Sequence, residues 1–173
     1  MKRSVIAAFF LLQFTLSFGQ TGSIMSMVDS LKYLKADSLD CKADLFWRIV
    51  AQGDKAIPFL IAKLTDTTPT NVRFHCKKGK LNVAEIAQRA LTNIADFPAS
   101  AVMHSQFDVI DNDGCWSFYA FFFMNSNKHR YQDSVQAWYS RERPKYKVVK
   151  IPKSEQDKCR LKYGIDTYYR WLE

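Results

Sequence analysis

Apolar residues recur at helical spacing from Ile24 onward, with Ile24, Met27, Val28, Leu31 and Leu34 on one stripe. Asp37 and Ser38 interrupt it, and a second helix is predicted from near Ser38 to Gln52, with Leu45, Phe46, Ile49 and Val50 inward. Gly53 suits its end, because glycine accepts the left-handed conformation that closes many helices. Asp54 can then cap a third helix by accepting from its free N–H groups. That helix buries Ile57, Leu60, Ile61 and Leu64. Pro58 falls just past its first turn, where the missing N–H removes at most one early bond. Residues 65–82 are polar and turn-rich, with Pro69, Asn71, Gly79 and the basic "KKGK", and read as a loop. Asn82 stands three residues before Glu85, a variant of the capping box. The helix it opens carries Val83, Ile86, Ala87, Ala90, Leu91 and Ile94 inward, and Phe97-Pro98 stops it.

Beyond Pro98 the pattern changes. Phe107 and Val109 alternate with polar residues, which fits one short extended segment, and "DNDGCW" is a turn. "WSFYAFFFMN" is apolar nearly all round, and between buried helix and central strand the helical neighbours favour helix. "RYQDSVQAWYSRER" is amphipathic, with Tyr131, Val135, Trp138 and Tyr139 inward. "KYKVVKI" alternates as a strand or an extended connection does. Ser154 with Asp157 opens a last helix through Cys159 to Tyr163, and "DTYYRWLE" closes the chain.

"AIPFLIAKLTD" followed by "VAEIAQRALTNIA" resembles a HEAT-type helical repeat over residues 39–96. Ile57, Pro58, Leu60, Leu64 and Asp66 match the first helix of that family's unit. Val83, Ala87, Ala90, Leu91 and Ile94 match the second. The interval from Asp66 to Val83 is about ten residues longer than the usual tight turn, so a loop is inserted there. The resemblance implies stacked antiparallel helix pairs that serve as an interaction scaffold and carry no inherited catalytic residues. A free-standing solenoid needs about three repeats. The chain has fewer, so its C-terminal part is expected to cap the stack. The expected fold is therefore mostly α: HEAT-like antiparallel pairs over 21–98 and an aromatic, basic helical cap over 99–173, as one domain.

The first twenty residues stand apart from this. Lys2 and Arg3 precede an apolar run from Val5 to Leu12 and beyond, then Ser17, Phe18, Gly19 and Gln20. That is the layout of a secretory signal peptide, and it predicts export with cleavage near Gly19 or Gln20. Nothing after it resembles a spanning helix, so the mature protein is expected in the periplasm or outside the cell. Cys41, Cys76, Cys115 and Cys159 all follow the signal, and an even count in an exported chain favours disulfides. Antiparallel helix geometry points to Cys41–Cys76 with Cys115–Cys159, and the second choice joins Cys76 to Cys115.

Net charge is +8, and residues 128–162 hold eleven Lys/Arg against four Asp/Glu. Such a basic segment suits an anionic polymer or an acidic protein, and export weakens the nucleic-acid option. Aromatic residues make up 14% of the chain. Core packing accounts for most of them. A binding platform would draw on Trp138 and Tyr139 beside Arg141, Arg143, Lys145 and Lys147. The loop cations Arg73, Lys77, Lys78 and Lys80 form a second candidate.

Catalytic signatures are sparse. Asp111 and Asp113 before Gly114 resemble a calcium loop, but counting back from the glycine puts Val109 first and Ala120 twelfth, where acids are needed. His75, His104 and His129 show no metal-binding spacing, and His75 beside Cys76 is a poor thiol–imidazole pair. No cofactor and no metal is expected. The function expected is non-catalytic binding of a protein or anionic polymer by an exported scaffold. Two alternatives remain open. One is a small periplasmic hydrolase built on converging acids such as Asp40, Asp44, Glu85 and Asp96. The other is an inhibitor or immunity-type protein that plugs an acidic cleft.

Overall fold

The computed structural model describes residues 22–74, 77, 79–97, 102–104 and 121–171. Outside these lie residues 1–21, His75, Cys76, Lys78, and the 105–120 stretch with Asp108, Asp111, Asp113 and Cys115.

Helix α1 covers residues 22–29 and tightens into a 3-10 turn at Ser30–Tyr33. Its stripe of Ile24, Val28 and Leu31 is buried as the spacing predicts. Helix α2 (Asp44–Val50) begins later than Ser38. The intervening residues spend their polar groups locally: the Asp40 carboxylate accepts from Ser38 Oγ at 2.9 Å and from the Lys42 N–H at 2.7 Å. The Asp40 carbonyl accepts from Trp47 Nε1 at 2.9 Å. Short side-chain bonds of this kind compete with a helix.

Gly53 takes φ +59, as a helix end requires, and a Cβ there would lie 3.3 Å from the Tyr169 ring. The expected Asp54 cap is not made. Instead Asp54 Oδ1 accepts from the Tyr169 hydroxyl at 3.2 Å, which ties the turn to the far C-terminus. Helix α3 (Ile57–Ala62) follows with Pro58 in its first turn. At its end the Ile61 carbonyl accepts from the Leu64 N–H at 3.1 Å, and Gln132 Nε2 donates to the Ile61 and Ala62 carbonyls at 2.9 and 3.0 Å.

The segment read as a loop is a β-hairpin. Strands β1 (Pro69–Arg73) and β2 (Lys80–Asn82) pair antiparallel, with Thr70, Val72 and Leu81 buried and their neighbours out. Thr70 Oγ1 donates to the Leu81 carbonyl at 2.7 Å and accepts from the Val72 N–H at 3.2 Å. Asn82 ends β2 and caps α4 (Val83–Ile94) with the full reciprocal box. Its Oδ1 accepts from the Glu85 N–H at 2.9 Å, and Glu85 Oε2 accepts from the Asn82 N–H at 2.8 Å. Helix α4 ends at Ile94, a turn before Pro98, because Ala95 is extended and bridges to Tyr169.

Helix α5 (Lys128–Glu142) buries Tyr131, Val135, Trp138 and Tyr139, as its pattern predicts. The chain then forms β3 (Tyr146–Lys150), α6 (Lys158–Tyr163) and β4 (Thr167–Trp171). Strands β3 and β4 pair antiparallel from Tyr146 opposite Trp171 to Lys150 opposite Thr167. Asp157 caps α6 by accepting from the Arg160 N–H at 2.8 Å, and Gly164 closes it at φ +65.

The mostly α expectation is thus corrected. Among the described residues the architecture is mixed α/β, with two small antiparallel sheets and no repeat solenoid. Within the expected helical cap, residues 146–171 after α5 form a strand–helix–strand hairpin laid over α4. One continuous apolar cluster runs from Ile24 to Ile165, and no helix among the described residues is long and apolar enough to cross a membrane.

Candidate functional site

The first candidate, around Trp138 and Tyr139, dissolves into the core. Each ring is only 5% exposed. Trp138 packs against Phe97 at 5.8 Å and Trp171 at 5.7 Å between centroids. The strand pair β3–β4 covers the stripe that sequence reading offered as a platform. Two of the four accompanying cations share one carboxylate. Buried Glu142 meets Arg141 Nε at 2.6 Å and Lys145 Nζ at 2.8 Å, and accepts from Trp171 Nε1 at 3.2 Å. Arg143 lies 5.9 Å from the Tyr139 ring, and Lys147 is exposed on β3.

Hydrogen bonds from Lys145 and then Arg141 hold the Glu142 carboxyl at about 2, against 4.5 ordinarily. A depressed acid stabilises the fold above its unfolded value and loses that contribution as pH falls through the folded one. Acid unfolding should therefore include a Glu142 component between 4.5 and about 2. In Glu142→Gln, denaturant midpoints measured across this window should fall less steeply with pH than in the wild type.

The four acids of the hydrolase alternative are held by separate partners. Asp40 serves the turn before α2, Asp44 meets Tyr163 and Arg48, and Glu85 caps α4 while binding Lys77. Asp96 Oδ1 accepts from the Tyr168 hydroxyl at 2.9 Å, and its carbonyl accepts from the Tyr146 hydroxyl. Burial, and next the Asp96 carboxylate, pushes both phenols above their ordinary range, so they act as fixed donors that clamp the C-terminal hairpin to α4. Among the described residues no group of three or more His, Cys, Asp and Glu could hold a metal ion.

The first-choice disulfide pairing is corrected. Cys41 bridges Cys159 with 4.7 Å between Cα atoms, in place of Cys41–Cys76 and Cys115–Cys159, and this is the bridge that the second choice, Cys76 with Cys115, leaves. Helix α6 packs beside α2 and brings Cys159 to the turn before it. Lys162 Nζ and the Tyr163 hydroxyl both donate to the Cys41 carbonyl there, at 2.8 and 3.3 Å.

The second candidate is where geometry gathers. Three clefts meet at Arg73, the last residue of β1. The first, about 510 Å³, runs between the 38–39 bend, α2 and α4. Leu39, Phe46, Trp47 and Phe74 wall it, and Arg89 and Asn93 supply polar groups. The second, about 570 Å³, is lined by Arg73, Phe74, Lys77, Gly79 and Lys80. The third, about 310 Å³, adds Lys35, Asp37 and Asn71.

Five described cations line this face and two acids oppose them, Asp37 and Asp157. Asp157 already serves α6 as its cap. Lys77 Nζ lies 2.7 Å from both Glu85 oxygens, and Lys80 Nζ donates to Asn71 Oδ1 at 2.7 Å. Neither Lys35 nor Arg73 forms an ion pair with a described residue. The Arg89 guanidinium lies 3.6 Å from the Phe74 ring centroid. Behind Asn93, Arg160 Nη2 donates to the Asn93 carbonyl at 2.8 Å, while its buried Nη1 has no acceptor among the described residues.

Sequence reading had flagged Arg73, Lys77 and Lys80, and the hairpin brings them together. It missed Lys35 and Arg89, which arrive from α1's exit and from α4, and it missed the aromatic wall. Arg89 lies off the apolar stripe of α4, where its spacing marks it as an ordinary outward cation, and Phe74 meets it only because β1 is a strand. Compared with known protein families, curated proteins and solved structures, the chain finds no significant match.

Proposed function

We propose that the protein is an exported, non-catalytic binding module that docks an acidic protein or anionic polymer on the β1–β2 face. The observation that carries this is the meeting of three clefts at Arg73, lined by Lys35, Arg73, Lys77, Lys80 and Arg89 against two acids. Positive charge concentrated in concave surface focuses the field and attracts an anion more strongly than scattered charge does. The Cys41–Cys159 bridge is consistent with an oxidising compartment, which suits export.

A labelled polyglutamate chain tests the reading by fluorescence anisotropy. Wild-type protein should bind it with an affinity that falls steeply as salt rises, because exposed charges are screened. Arg73→Glu with Lys80→Glu should weaken binding about tenfold or more, whereas Lys147→Glu with Lys150→Glu on β3 should change it little. Absence of binding, or equal loss from the β3 reversals, overturns it.

A further inference from the structure

The three clefts differ in kind, and the difference identifies the partner. The two at the hairpin are lined mainly by cations and other polar groups, whereas the cleft bounded by α2 and α4 has Leu39, Phe46, Trp47 and Phe74 among its walls. The Trp47 indole N–H is already donated to the Asp40 carbonyl, so that residue offers the cleft apolar surface and no donor. Its polar lining is Ser38, Arg73, Arg89, Asn93 and Asp157, with Arg89 against the Phe74 ring and Arg160 behind Asn93.

A uniformly charged polymer, such as a sulfated glycan, leaves such walls unused. A peptide uses both parts, because a buried aromatic ring in a fitted pocket is a common anchor of protein interfaces, with charged residues around it. We infer that this cleft receives an aromatic side chain of an acidic peptide segment, whose neighbouring carboxylates lie along Arg73, Lys80 and Lys35. Arg89 then meets the carboxylate nearest the anchor. This deepens the proposed function and rests on it.

The test uses two labelled peptides of mixed Asp and Glu, one with a single central Phe and one with Ala in its place, and a labelled sulfated polysaccharide. On wild-type protein the Phe peptide should bind about tenfold or more tighter than its Ala twin. Phe74→Ala should remove most of that preference, bringing the two peptides to within about twofold of each other. Trp47 forms part of the wall, so the Phe peptide should also shift tryptophan emission, and Trp47→Phe should abolish the shift.

Equal binding of the twins on the wild-type protein overturns the aromatic anchor and leaves the basic face standing. Tighter binding of the polysaccharide than of either peptide also overturns it, in favour of a polymer. Failure of all three probes overturns the anchor and the basic face together.

Discussion

Cys41→Ser with Cys159→Ser should lower the stability of the protein by about 4 to 5 kcal/mol, the largest effect of any pair of substitutions considered for this fold. The bridge joins positions 118 residues apart, so its loss frees most of the chain in the unfolded state. Loop-closure entropy grows only slowly with length, yet a span of this size sits at the upper end of the range. The native side contributes as well. The bridge fixes α6 to the turn before α2, and the Lys162 and Tyr163 bonds to the Cys41 carbonyl depend on that placement. Denaturant unfolding of the double-serine protein should show a lower midpoint with an unchanged type of transition. Non-reducing peptide mapping should recover Cys41 and Cys159 in one fragment. An unchanged midpoint would show that the bridge restrains nothing the core does not already restrain. Function should follow structure here. Ser38, Leu39 and Asp157 line the aromatic cleft and stand on the two segments the bridge ties. Peptide affinity should therefore fall in the double-serine protein even below its melting range.

The parts of the fold legible in the sequence are those with long apolar stripes. The burial of Ile57, Leu60, Ile61 and Leu64 and the inward face of α5 follow from spacing sustained over two helical turns or more, and the α4 capping box from one three-residue interval. Both hairpins escaped for lack of such length. In β1 only Thr70 and Val72 are buried, which makes a period of two residues one repeat long. In β3 no residue is buried, so the alternation of Tyr146–Lys150 leaves strand and extended connection both open. The composition of β4 does carry one, since Thr, Tyr, Tyr and Trp suit a strand, but its partner lies beyond an intervening helix. Recognising that pair would have removed Trp138 and Tyr139 from the exposed candidates, because they already lay on the inward stripe and needed only a cover. The disulfide was mispaired for the same reason. Helix-hairpin logic sees neighbours in sequence, and Cys159 reaches Cys41 only through the return of the chain across α2.

Tyr131→Ala should cost about 3 to 5 kcal/mol, the range for truncating a fully buried aromatic ring. The ring is 1% exposed, stacks on Phe122 at 4.4 Å with 3° between planes, and meets Phe123 edge-on. Its hydroxyl donates to Gln88 Oε1 at 2.7 Å, and Gln88 is itself buried. The packing and polar contributions separate by choice of substitution. Tyr131→Phe keeps the stack but strips the donor from a buried amide, which should cost about 1 to 3 kcal/mol. Gln88→Met leaves the hydroxyl without this acceptor and should cost a similar amount. Combining Tyr131→Phe with Gln88→Met removes both ends of the bond, and the double variant should be more stable than the sum of the singles predicts. That positive coupling, read from denaturant midpoints around the cycle, measures what holds α5 on α4. Additive losses would mean that the hydroxyl and the amide act separately and that α5 is held by its apolar stripe alone. The sign matters for the basic face too. Arg89 follows Gln88 on α4, so a cycle that loosens this contact should disturb the cleft between Arg89 and Phe74, whereas one that leaves it rigid should not.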